Sequence, residues 1–179
     1  MPLYLPDEDS HFFSETLKKF LYKKNKKIEI LDMGSGTGIL AETCRKKGFK
    51  NILTADIDKD SIKILKKKKF KVIKSNLFSK IKRKFDLIIF NPPYLPYNKY
   101  DKNPDVSGGK KGFEIIVRFL AESKTHLKNK GVIMILFSSL SKPRTILKKA
   151  KELGYKYKLL NKKNLFFEVL KIYSFSINY

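Results

Sequence analysis

The chain has 179 residues, 42% of them hydrophobic, and carries a formal net charge of +23. That length suits one domain, 1–179, with a core large enough to need no disulfide or metal staple. No apolar run approaches the roughly 20 residues that cross a bilayer, and a lone cysteine, Cys44, excludes an internal disulfide. One cysteine and two histidines, His11 and His126, argue against a thiolate or imidazole metal site. The opening residues, through Asp7-Glu8-Asp9, are acidic where a signal peptide would be basic, so a cytoplasmic location is expected. The charge has two readings: attraction to nucleic acid or a ribonucleoprotein, or compositional drift toward lysine. Only Arg45, Arg83, Arg118 and Arg144 are arginines, and lysine lacks their planar fork, which favours drift.

Taken in chain order, Asp9 or Ser10 can cap a helix whose Phe13, Leu17, Phe20 and Leu21 share a face. Residues 28–33 then read as a buried strand, followed by a glycine-rich turn and a helix from about Thr37 to Lys47. Residues 52–56 form a second strand. Asp58 caps a helix through Leu65, and Val72-Ile73 marks a short third strand whose apolar residues could seat a partner at a sheet edge. A fourth strand, 85–90, ends at Asn91-Pro92-Pro93, because proline neither donates to a ladder nor continues one. A long loop, Tyr94 to Lys111, has a length that is usually functional or disordered. Phe113, Ile116, Val117, Leu120 and Leu127 then share a helix face, and 131–137 form a fifth strand. Pro143 opens a helix that Gly154 ends. Strands around 155–160 and 167–177 close the chain, joined by a turn near Lys162-Lys163-Asn164 and therefore antiparallel to each other. Strands alternating with helices predict an α/β fold with a mostly parallel sheet covered on both faces.

Two stretches carry chemistry. Asp32-Met33-Gly34-Ser35-Gly36-Thr37-Gly38 lies where the first strand meets a helix, the ligand-binding end of an open α/β sheet. Asp56 follows about 20 residues later, the ribose-binding arrangement. The spacing is Gly-x-Gly-x-Gly rather than the dinucleotide pattern, and the preceding Asp32 would repel a pyrophosphate while suiting the cationic amino-acid end of S-adenosylmethionine. Asn76 is either the partner of the adenine edge or a turn asparagine. Asn91-Pro92-Pro93-Tyr94 is the most specific feature. The Asn91 side-chain oxygen and the Pro92 carbonyl can each accept one N–H of a planar amide or amine, aiming the nitrogen lone pair at a methyl donor. Two prolines stiffen the loop, and Tyr94 can stack on the planar group. Tyr97 and Tyr100 either line the acceptor groove or pack under the loop. Lys99, Lys102, Lys110 and Lys111 could dock acidic groups or simply be solvated.

These motifs, with Asp56-Ile57-Asp58, residues 85–94 and Ser107-Gly108-Gly109, resemble the HemK-type glutamine N5-methyltransferases. The opening Tyr4-Leu5-Pro6-Asp7-Glu8-Asp9-Ser10 resembles the start of the short archaeal and eukaryotic branch. The resemblance implies a Rossmann-like seven-stranded methyltransferase fold, mostly parallel with one antiparallel strand. Residues 1–27 would form a cofactor-covering segment and helix, and 28–179 the core. It implies S-adenosylmethionine as cofactor, held by Tyr4, Pro6, Glu8, Ser10, Asp32, Gly34, Ser35, Gly36, Gly38, Asp56, Ile57, Asn76, Leu77 and Asn91. Its substrate would be the glutamine of the Gly-Gly-Gln loop of a peptide-chain release factor, with Asn91, Pro92, Pro93 and Tyr94 at the chemistry. A small zinc-binding activator subunit is an implied partner. Where the family often has aspartate, this chain has Asn76. Two other acceptors stay open: lysine, which some relatives methylate, and the exocyclic amine of a flipped-out nucleobase stacked on Tyr94.

Overall fold

A computed structural model describes residues 7–95 and 109–177. Tyr4, Pro6, Tyr97, Lys99, Tyr100, Lys102, Ser107 and Gly108 lie outside the described residues. The elements run α1 (Glu8–Phe20), β1 (Ile30–Met33), α2 (Ile39–Lys46), β2 (Ile52–Asp56), α3 (Lys59–Lys67), β3 (Lys71–Lys74) and β4 (Phe85–Phe90). They continue with α4 (Glu114–Ser123), β5 (Leu127–Ser138), α5 (Pro143–Glu152), β6 (Tyr155–Asn164) and β7 (Val169–Ile177). The strands form one sheet in the order β3-β2-β1-β4-β5-β7-β6. β7 runs antiparallel to both β5 and β6, and every other pair is parallel.

The strands read as continuous apolar runs because both faces of the sheet are covered. β1 and β2 are buried at every position. Alternation within the strands sends Leu31, Met33, Ile88 and Phe90 to one face, where Phe119 and Leu120 of α4 and Ile146 and Ala150 of α5 pack. Ile30, Leu87 and Ile89 go to the other, under Phe13 and Leu17 of α1 and Leu40, Ala41 and Cys44 of α2. Cys44 is fully buried, and that burial pushes its thiol pKa up, which suits a packing residue rather than a nucleophile. No helix among the described residues is long and apolar enough to cross a membrane.

Four local expectations need correction. The cap of α1 is Asp7, whose carboxylate accepts from the Glu8 N–H at 2.7 Å, so Asp9 and Ser10 sit inside the first turn. Leu127 opens β5 rather than continuing a helix, because the chain leaves α4 through a 3₁₀ turn, Lys124–His126. Lys162-Lys163-Asn164 is strand, paired with Lys171, Leu170 and Val169 of β7. The turn lies one step later and contains Phe167, which had read as strand. A lysine-rich stretch reads as a turn by composition, and pairing with a neighbouring strand overrides that preference. Asp58 does cap α3, its Oδ2 accepting from the Asp60 N–H at 3.0 Å and the Ser61 N–H at 2.7 Å.

The glycine turn after β1 requires its glycines for separate reasons. Gly38 has φ +85, and a Cβ there would lie 2.8 Å from Leu65 Cδ2 of α3. Gly38→Ala is expected to lose about 1–3 kcal/mol, from the left-handed backbone together with the contact on Leu65. Urea unfolding of the two proteins measures the loss; an unchanged midpoint would show that the turn relaxes freely.

Candidate active site

The β1–β4 pairing builds the site. Met33 lies beside Phe90 in parallel register, so the residues that follow them, Gly34 and Asn91, leave the sheet at the same edge. A crevice there is lined by Ser10, Asp32, Gly34, Ser35, Gly36, Thr37, Ile39, Leu40 and Asn91. Gly34 has φ +59, and a Cβ on it would stand 3.2 Å from the Phe90 ring, so only glycine keeps the two strand ends this close.

Asp32 is 1% exposed and accepts from the Ala41 N–H of α2 at 3.0 Å. Burial, reinforced by the nearby Asp56, pushes its pKa up from 3.8 to about 7. A buried carboxyl in that condition is a ready partner for a cation. Asp56 is engaged on both oxygens: Oδ2 accepts from the Gly36 N–H at 2.7 Å, and Oδ1 from the Asp58 N–H at 2.9 Å. It thereby ties the end of β2 to the glycine turn. Ser35 donates through Oγ to the Asp32 carbonyl at 2.7 Å and closes that turn.

Asn91 is the centre of a polar cluster. Its Nδ2 donates to Asp9 Oδ2 at 3.1 Å and to Ser10 Oγ at 3.4 Å. The Tyr94 hydroxyl donates to the same Asp9 oxygen at 3.4 Å. An ionised carboxylate only accepts, so Asp9 fixes which way the Asn91 amide faces. The consequence is that Asn91 Oδ1 is buried and has no hydrogen-bond partner among the described residues. Leaving such an acceptor unpaired costs about 1–3 kcal/mol, which an incoming N–H would recover. Pro92 is buried and Pro93 half-buried. The Tyr94 carbonyl accepts from Ser141 Oγ at 2.7 Å, anchoring the loop to the short 3₁₀ turn Ser139–Ser141 that follows β5.

The structure thus brings Ser10, Asp32, Gly34, Ser35, Gly36 and Asn91 together, with Gly38 starting α2 behind them and Asp56 one hydrogen bond away. Glu8 is turned to Lys163 of β6 in a 2.5 Å ion pair. Ile57 follows β2 with its side chain 55% exposed, and Asn76 and Leu77 follow β3. Asn76 is exposed, and Leu77 is buried in the core beneath it, with φ +47. These three border the β2–β3 end of the same sheet edge, outside the crevice lining. Sequence reasoning missed Asp9 as a partner of Asn91. The two are 82 positions apart, and the visible signal was only an acidic residue in a capping context.

The raised pKa of Asp32 has a defined sign in stability. The unfolded chain releases this proton near 3.8 and the folded chain near 7, so between those values the native state binds more protons and stability falls as pH rises. Asp32→Asn lacks that slope. It is expected to gain on the native sequence progressively from pH 3.8 to about 7 and to hold a constant advantage above. Thermal melts across that range test it, and parallel stability curves would refute the assignment.

A model of the Methyltransferase small domain matches residues 6–171. A Methanocaldococcus jannaschii protein provisionally named a protein N5-glutamine methyltransferase is 37% identical, covering 95% of this chain and 89% of that protein. The release factor glutamine methyltransferase of Aquifex aeolicus is 28% identical over 64% of this chain, which spans about half, 48%, of that enzyme. Among solved structures, the E. cuniculi Mtq2–Trm112 complex, described as methylating the eRF1 translation termination factor, shares the fold. It superposes with a TM-score of 0.82 over 99% of this chain and 100% of that one, at 23% identity. The buried carboxyl and orphaned amide oxygen in one crevice fit a sulfonium methyl donor beside a nitrogen acceptor. The chain belongs to the Methyltransferase small domain family and is an S-adenosylmethionine-dependent methyltransferase.

Proposed function

We propose that this chain methylates the side-chain amide nitrogen of the glutamine in the Gly-Gly-Gln loop of a peptide-chain release factor. The observation that carries the reading is the buried Asn91 Oδ1, left without a donor among the described residues because Asp9 and Ser10 hold the other end of the amide. S-adenosylmethionine, when bound, supplies an electrophilic methyl group on a sulfonium. Everything else falls to the chain.

Asp32, Gly34, Ser35, Gly36 and Gly38 would hold the amino-acid end of the cofactor. Asp56 would hold the ribose, and Ile57, Asn76 and Leu77 the adenine side. The N-terminal segment with Tyr4, Pro6, Glu8 and Ser10 would cover them. Asn91 Oδ1 accepts one amide N–H and the Pro92 carbonyl the other, so the nitrogen is fixed in orientation before reaction. Both acceptors stabilise the positive charge that grows on that nitrogen. The N–H would become acidic as the N–C bond forms at the expense of the methyl–sulfur bond, which leaves a neutral thioether, and its proton would pass to water, so no strong base is required. Asp9 is a positioning residue: it keeps Asn91 facing the acceptor. Tyr94 would flank the planar group, its hydroxyl on the same carboxylate.

The names of the two relatives and of the E. cuniculi complex support the glutamine acceptor. That complex also supports a small partner subunit for this chain. We place it at the edge strand β3, whose Val72 and Ile73 are half-buried, and expect it to bind zinc. A second reading, methylation of an exocyclic base amine, is favoured by the +23 charge. Lysine is a third acceptor.

Labelled S-adenosylmethionine with the chain and its partner subunit decides among them. Label is expected on the intact release factor and absent when Gly-Gly-Gln becomes Gly-Gly-Ala; label on RNA, or persistence on the altered factor, would displace the glutamine reading. Asn91→Ala is expected to lower kcat by about 10²–10³-fold with the fold retained. Asp9→Asn can donate as well as accept, which frees the Asn91 amide to flip. It is expected to lower kcat by about 10–100-fold with cofactor affinity preserved; an effect confined to KM would remove the positioning role.

A further inference from the structure

The hairpin between β6 and β7 ends in two adjacent phenylalanines, Phe166 and Phe167, that are 93% and 85% exposed. Their rings meet edge to face, with centroids 4.6 Å apart. The turn itself does not need them. Leu165 donates its N–H to the Glu168 carbonyl at 2.8 Å to close it, and Leu165 packs inward against the α1 side of the core. A polar pair would make the same turn at lower cost in solubility. Exposed aromatics next to a rigid scaffold mark contact surfaces.

The hairpin tip lies at the same end of the sheet as the crevice. β7 runs antiparallel to β5, so its first residues meet the last of β5, at the carboxyl end of the parallel sheet: Leu170 pairs with Ser138. The Val169 N–H donates to Ser139 Oγ at 3.0 Å. Two residues on, Ser141 donates to the Tyr94 carbonyl, so one short turn grips both the hairpin and the catalytic loop. Leu140, 46% exposed, stands between those anchors. On the other arm, Lys163 pairs with Glu8, two residues from the crevice-lining Ser10.

We propose that Phe166, Phe167 and Leu140 form a docking rim for the folded protein that carries the acceptor amide, gripping it outside the loop that enters the crevice. The proposal rests on the protein-substrate reading above and extends it to how the whole substrate is held. The rim suits protein better than nucleic acid. Its two rings meet at 79° and so offer no parallel pair of faces to hold a base between them. In sequence, the lysine nearest the pair, Lys163, is committed to Glu8, and the residue following the pair is the acid Glu168.

The test compares the chain, with its partner subunit, to its double variant Phe166→Ser, Phe167→Ser. Binding is measured to the intact release factor, to a short peptide containing Gly-Gly-Gln, and to S-adenosylmethionine. The variant is expected to weaken binding of the folded factor about tenfold or more, as loss of two exposed aromatic anchors does. Peptide and cofactor binding should stay within about twofold, which also reports an intact fold. Equal affinity of both proteins for the folded factor would overturn the docking rim while leaving the glutamine reading standing. A native chain that binds RNA and not the factor would overturn the glutamine reading itself, and the rim with it. Should the variant lose cofactor binding through misfolding, a photo-crosslinking phenylalanine analogue at position 167 of the native sequence decides: a crosslink to the factor supports the rim, and its absence refutes it.

Discussion

The parallel pairing of β1 with β4 in the register Met33–Phe90 is the constraint from which the rest of the site follows. It brings the ends of two strands, separated by 57 positions in the sequence, to neighbouring places on one sheet edge. One strand delivers a carboxylate and a glycine turn, the other a rigid amide-bearing loop. The glycine at position 34 matters because the Phe90 ring lies against it; any side chain there would push the two deliveries apart. Register in a buried parallel sheet is strongly held, since a slip of one residue would exchange the two faces of the core. The precision of the site is therefore a property of the core, not of the loops.

The second element is α1, which lies over the end of β4 and carries the acid that orients Asn91. A helix placed before the first strand would look dispensable to an α/β sheet. Here Phe13 and Leu17 bury it on the same face as α2, and Ser14 and Thr43 share a 2.7 Å hydrogen bond between the two helices. That packing gives Asp9 and Ser10 fixed positions, and those positions give the asparagine amide a single facing. Preorganisation of this kind has an energetic cost, because a buried acceptor stands unpaired among the described residues and a buried carboxyl sits far from its usual pKa. Both costs are relieved by the ligands we propose, which is how a site can be destabilising in isolation and favourable in use.

The last two strands serve two purposes. β7 enters antiparallel between β5 and β6 and completes the sheet. It also places the hairpin tip at the sheet end where the crevice opens. The chain as a whole is strongly basic, with 40 lysines and arginines against 17 acids. Long-range attraction to acidic partners and short-range contact at the rim are then separate contributions, the first weakened by salt and the second not.

The sequence by itself determined the strand and helix order and the two turns, with Asp32 and Asn91, that meet at the crevice. Each of these rests on local signals: apolar runs, glycines where a turn needs them, and prolines that end a strand. It also yielded the antiparallel closing pair, because a short connection allows nothing else. Only the tertiary structure decided that Asp9 holds Asn91, since a hydrogen bond across 82 positions leaves no periodic trace in the chain. Likewise it decided that Lys162, Lys163 and Asn164 are strand while Phe167 is turn. Composition argued the reverse, and the ladder with β7 prevailed because strand pairing and burial outweigh intrinsic preference.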